Sequence, residues 1–204
     1  MKLMLMVGSI VLVVLFVAAN VALTARRSQT FPKYWQGKMT EPVASNAVRL
    51  VALDDSSVEA IGAIRPMDGF VGRIAEYIEA RTGRPVHIAN VSDGGTTSDI
   101  IHNQLPKEDL SAADLVLVAD SNDMQARVPL DQYRADLTKL MQALPADRTV
   151  YSDLPIFPGR GPYQAVLQQL ADGFFDIGVG PEAPARVWSG PSFVFGPTRR
   201  GPAD

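Results

Sequence analysis

Four clusters of small polar and acidic residues interrupt apolar runs in this chain: "DDSS" (54–57), "SDGGTTSD" (92–99), "DSNDM" (120–124) and "DLPIFPG" (153–159). Two chemistries fit such clusters. A serine hydroxyl, at Ser56 or Ser57, could attack an acyl carbon if donors stood ready for the developing oxyanion. A glycine such as Gly95 lets backbone approach a substrate with no Cβ in the way, and an asparagine such as Asn122 donates without carrying charge. Alternatively, Asp54, Asp55 and Asp120 are oxygen ligands of the kind that suit a hard divalent cation. Each residue also has a plain structural use: Ser56 as a helix cap, Gly95 in a turn, Asn122 bonded to backbone. The bases are few. The only histidines are His87 and His102, and the absence of cysteine excludes a thiol nucleophile, a disulfide framework and a cysteine zinc site.

These clusters need elements to position them. "AVRLVAL" (47–53), "PVHIANV" (85–91), "ADLVLVAD" (113–120) and "RTVYSDLPIF" (148–157) are apolar, partly β-branched runs that read as buried strands. Between them lie helical patterns. In "DGFVGRIAEYIEARTG" (68–83), Phe70, Ile74, Tyr77 and Ile78 fall at helical spacing, with Asp68 as expected N-cap and Gly83 as stop. A short helix is expected over 98–106 and an amphipathic one over 130–145. This alternation predicts a parallel sheet covered on both faces, with ligands beyond the carboxyl ends of the strands. Each polar cluster follows a strand, so all four belong to that edge. After Phe157 the pattern weakens to a helical piece at 163–171. "FFDIGV" (174–179) is the nearest candidate for a fifth strand.

The chain has 204 residues and a net charge of −3, which fits one domain with appendages. Without a basic block in its globular part, it is not expected to take a nucleic-acid partner. From Leu3 to Ala25 no residue is charged. As a helix this run is about 33 Å long, enough to cross a bilayer. It exceeds the usual core of a signal peptide, which favours an uncleaved single-pass anchor. Small residues at Ala19, Ala22 and Ala25 keep cleavage and export open. The side of the membrane stays open: with Lys2 at one end and Arg26, Arg27, Lys33 and Lys38 at the other, the positive-inside rule would keep the C-terminal domain cytoplasmic, whereas a signal peptide would export it. The organisation expected is an anchor or signal peptide (1–25), a polar linker (26–46), a domain (47–190) and a Gly/Pro-rich tail (191–204).

The clusters, taken in order, resemble the blocks of the SGNH or GDSL-type serine hydrolases, with the actinobacterial-type members as the nearest pattern. The first block, G-D-S-x-x-x-G-x-G-A, is matched by Asp55 through Ala63, with Asp54 in place of the leading glycine. The second, N-x-S-x-x-G, is matched by Asn90, Ser92 and Gly95. The third, G-x-N-D, keeps Asn122 and Asp123 but has Asp120 where the family has glycine. The resemblance implies a three-layer, flavodoxin-like α/β fold, shortened on its C-terminal side, and no cofactor or metal. It implies Ser56 as nucleophile, with an oxyanion hole made of the Ser56 N–H, the Gly95 N–H and the Asn122 amide. The implied substrate is a small acyl ester or an acylated carbohydrate or lipid, with the membrane met through the N-terminal helix.

The last family block, D-x-x-H, supplies the base and its orienting acid. Alignment on "RVW" (186–188) puts Asp176 at the acid and Val179 at the histidine. His87, inside a strand, and His102, on the helix after the second block, are the remaining candidates for the base. Asp54, Asp93 and Asp120 are expected to bring negative charge near Ser56, which opposes an oxyanion. The expectation is therefore a serine ester hydrolase of the esterase or lipase type with an impaired base. Its alternative is a membrane-anchored pseudoenzyme that binds a ligand without turnover. Further off lies a cation-binding domain like the receivers of response regulators, to which "DLVLVAD" bears a superficial likeness.

Overall fold

The structure is a computed structural model that describes residues 2–54, 56–152, 154, 158–177 and 194–195. The chain forms α1 (Lys2–Met39), β1 (Val48–Asp54), α2 (Phe70–Thr82), β2 (Val86–Asn90), α3 (Thr97–Asp99), β3 (Leu115–Ala119), α4 (Asn122–Ala126), α5 (Leu130–Ala143), β4 (Thr149–Tyr151), α6 (Arg160–Ile177) and β5 (Val194–Phe195). The sheet order is β2-β1-β3-β4-β5. The first four strands are parallel, as the strand–helix alternation requires, and β5 pairs antiparallel with β4.

Side chains of each strand alternate between two cores. Val51, Leu53, Val116, Val118 and Tyr151 enter one, against Tyr133, Leu137 and Leu140 of α5 and Val166 and Leu167 of α6. Leu50, Ala52, Ile88, Leu117 and Val150 enter the other, against Val71 and Ala75 of α2 and Trp35 of α1. The period of two sends neighbouring residues to opposite faces, so a strand with helices on both sides must be apolar throughout. The architecture is three-layered, with the sheet in the middle.

Three sequence expectations change. The polar stretch read as a linker is helical as far as Met39, continuous with the apolar run. Phe31 and Trp35 are buried, with Trp35 only 2% exposed. Sequence polarity misleads here because two aromatic residues one turn apart suffice to dock a helix whose other faces stay in solvent. Asp68 does not cap α2; Gly69 holds that position, and Asp68 pairs with Arg65 at 2.8 Å. Residues 174–177 continue α6, and the fifth strand comes from Val194–Phe195, inside the stretch expected to be tail. Gly83 does stop α2, at a φ of 65° with its N–H on the Glu79 carbonyl.

Because Trp35 completes a core, Trp35→Ala is expected to cost about 3–5 kcal/mol. A fragment starting at residue 40 should unfold at clearly lower urea than one starting at residue 26. Far-UV circular dichroism during urea titration checks both; equal midpoints for the two fragments would refute the docking of α1.

Candidate active site

The carboxyl ends of β2, β1 and β3 lie side by side, with Ala52 opposite Asn90 and Asp54 opposite Ala119. β1 connects to β2 on one side, and the chain then passes to β3 on the other. This is the switch point at which open α/β sheets leave a crevice. The segments that follow these strands carry Ser56, Gly95 and Asn122, so the fold brings the three to one edge.

Ser56 is exposed in the turn after β1, and its carbonyl accepts the Ile61 N–H at 3.3 Å. Asp55 lies outside the described residues. The loop is held from two sides. The Trp35 indole N–H donates to the Glu59 carbonyl at 3.1 Å, and the Asn90 amide donates to the Val58 carbonyl at 3.0 Å. Ala60 adopts a left-handed φ of 66°, and it stands where the first block has glycine, a second departure that the match over Asp55 to Ala63 passes over. It is buried against Phe31 and Ile61, so its methyl packs despite a backbone conformation that glycine adopts more cheaply.

Asn90 also orders the loop after its own strand. Its side-chain oxygen accepts the Ser92 N–H at 3.2 Å and the Ser92 hydroxyl. Gly95 has a φ of 107°, and a Cβ there would meet the Asp99 Cβ at 2.5 Å. Glycine at 95 is thus required by the chain's own backbone and neighbour, before any substrate is considered. Asp99 in turn accepts the Thr96 N–H at 2.7 Å and the Thr96 hydroxyl at 2.9 Å.

Asn122 is the first residue of α4 and is half-buried. Its Oδ1 accepts from Gln125 Nε2 at 3.4 Å, which leaves the Nδ2 end to donate. The neighbouring Asp123 is 2% exposed and accepts the Thr97 N–H at 2.6 Å and the Thr97 hydroxyl at 2.7 Å. That contact ties the Gly95 segment to the Asn122 helix. Sequence reading missed Thr97. Its signal lay in the run "GGTTSD", where a hydroxyl begins a helix just beyond the glycine pair.

Two of the three carboxylates expected near Ser56 have partners within the scaffold. Asp120 is buried and accepts from the Thr97 hydroxyl and, at 3.3 Å, from the Tyr151 hydroxyl. Asp93 pairs with Lys107 at 2.6 Å and accepts from Gln104 at 3.1 Å. Both are engaged by the scaffold, Asp93 by an ion pair and Asp120 by hydroxyl donors, as a carboxylate withdrawn from water requires. The Asp54 side chain is not among those described.

His87 stands opposite Arg49, at the amino end of β2. From Arg49 to Asp54 the strand advances about 17 Å, so His87 cannot reach Ser56. His102 is exposed on the helical turn 100–104, after the second block. Asp176 lies in the last turn of α6, but its side chain, like the whole of Val179, falls outside the described residues.

No family model and no curated protein matches the chain. Solved structures do. A mutant of the esterase AlinE4 aligns with a TM-score of 0.51 at 17% identity, over 65% of this chain and 75% of that one. TesA aligns with a TM-score of 0.50 at 21% identity, over 65% of this chain and 82% of that one. The fold is that of the SGNH/GDSL-type esterases. At these identities the likeness is one of architecture. In this SGNH fold, Gly95 and Thr97 are the residues whose loss should be read first as stability. Gly95→Ala is expected to destabilise by at least about 1 kcal/mol. Thr97→Val removes the hydroxyl that two buried carboxylates share and should cost about 1–3 kcal/mol. Urea midpoints of the full chain in detergent measure both, and wild-type stability in either variant would contradict the contacts described.

Proposed function

We propose that this chain is an ester-directed SGNH domain descended from serine hydrolases, with Ser56 at the nucleophile position. In this reading the Ser56 N–H, the Gly95 N–H and the Asn122 amide face an acyl carbonyl. Its support is one observation: the three residues follow three adjacent parallel strands and share one sheet edge. The ligand is an acyl ester, borne by a small molecule, a carbohydrate or a lipid. In hydrolysis, the Ser56 oxygen would bond to the acyl carbon, the alcohol would depart, and water would release the acid. The serine proton needs an acceptor. With Asp176 at the orienting position and Val179 at that of the histidine, the proton must go to water. Loss of the base costs several powers of ten in rate, since the triad works as a unit.

Turnover of short acyl p-nitrophenyl esters by the full chain in detergent is therefore expected to be near background. Ser56→Ala should leave that residual rate unchanged. Robust hydrolysis abolished by Ser56→Ala would sink the impaired-base reading and return attention to His102.

The remoteness of His87 also favours a second reading, in which the edge binds an ester without cleaving it. Thermal shift against a panel of acyl esters and acylated glycans tests it. No shift with any ligand counts against a binding module.

A further inference from the structure

The path of α1 over the sheet sets the direction in which the candidate edge points. Phe31 packs with Ala60 and Ile61, in the loop that follows β1 at the carboxyl edge. Trp35, one turn on, donates to Glu59 and packs over Leu50, Ala52 and Ile88 in the body of the sheet. Lys38 and Glu41 then line a cavity with Glu79, Val86 and His87, at the amino edge. Met39 lines another beside Arg49 and His87. Residues 31–39 therefore run antiparallel to β1 and β2. Followed backwards, the same helix leaves the sheet past its carboxyl edge, where Ser56, Gly95 and Asn122 are carried.

What leaves at that edge is the apolar run. Val7 through Val17 is solvent-exposed throughout, and the helix is long and apolar enough to cross a membrane. From Ala25, the last apolar residue before Arg26 and Arg27, to Phe31 is about 9 Å of helix. The juxtaposed segment, 26–33, has Arg26, Arg27 and Lys33 and no acidic residue. Such a strip is suited to a headgroup layer with anionic lipids. Ile64, beside the Ala60 loop, is 81% exposed, an apolar side chain placed on the same pole.

We infer that the carboxyl edge of the sheet faces a lipid bilayer at close range, with α1 as its anchor and the loop 56–64 as its nearest part. The inference rests on the docking of α1 and on the apolar span as a membrane helix. It does not depend on turnover at Ser56. Any ligand of that edge is then met at the membrane surface, and the amino edge with its His87 cavities points away.

The chain lacks cysteine, so single labels can be placed without background. Ile64→Cys marks the carboxyl edge, and Asp147→Cys, exposed just before β4, marks the opposite one. Each is labelled with a fluorophore in the full chain reconstituted into phosphatidylcholine and phosphatidylglycerol vesicles that carry headgroup-spin-labelled lipid. The expected result is quenching several-fold stronger at position 64 than at position 147. Equal quenching, stronger quenching at 147, or none at either position would overturn the orientation. A separate assay of acyl-ester binding by the same labelled chains bears on the esterase reading alone, so the two can fail independently.

Discussion

The seat of Trp35 is the contact on which most of this structure depends. Its ring covers Leu50, Ala52 and Ile88 on one face of the sheet, and its N–H holds the Glu59 carbonyl in the loop that carries Ser56. Without it, that face would lose part of its apolar cover and the loop one of its anchors. Burial supplies the larger share of the energy. The hydrogen bond supplies position, since a buried indole N–H and carbonyl cannot go unmatched. One side chain thus joins a helix that reads as a membrane anchor to a loop that reads as a catalytic elbow.

The same economy runs along the carboxyl edge. Asn90 links the first loop to the second, through Val58 and Ser92. Asp123 links the second loop to the third, through both donors of Thr97. Three loops from three strands become one framework by means of two buried polar residues. A buried hydrogen-bonded network of this sort fixes geometry in a way that apolar packing alone does not. It holds whether or not the edge still performs acyl transfer.

The acidic residues at the strand ends have structural partners of their own. By type and place, Asp93 and Asp120 look like charges that would oppose an oxyanion. In the fold, one is paired with Lys107 and the other turned to Thr97 and Tyr151. Among the described residues, β5 also runs antiparallel, unlike the other four strands of the sheet.

Much of the architecture was legible in the chain itself. Apolar runs of strand length alternating with helical patterns dictate a parallel sheet with two covered faces, because each strand must bury both sides. The polar breaks after those runs dictate that Ser56, Gly95 and Asn122 share an edge, because parallel strands end together. The absence of a histidine at position 179 is likewise a matter of sequence. Tertiary structure alone decided the rest. That Phe31 and Trp35 belong to the core and that Asp120 faces inward depend on contacts between residues far apart in the chain. Local pattern reports which side chains want burial or a partner; only the folded arrangement decides which partner they find.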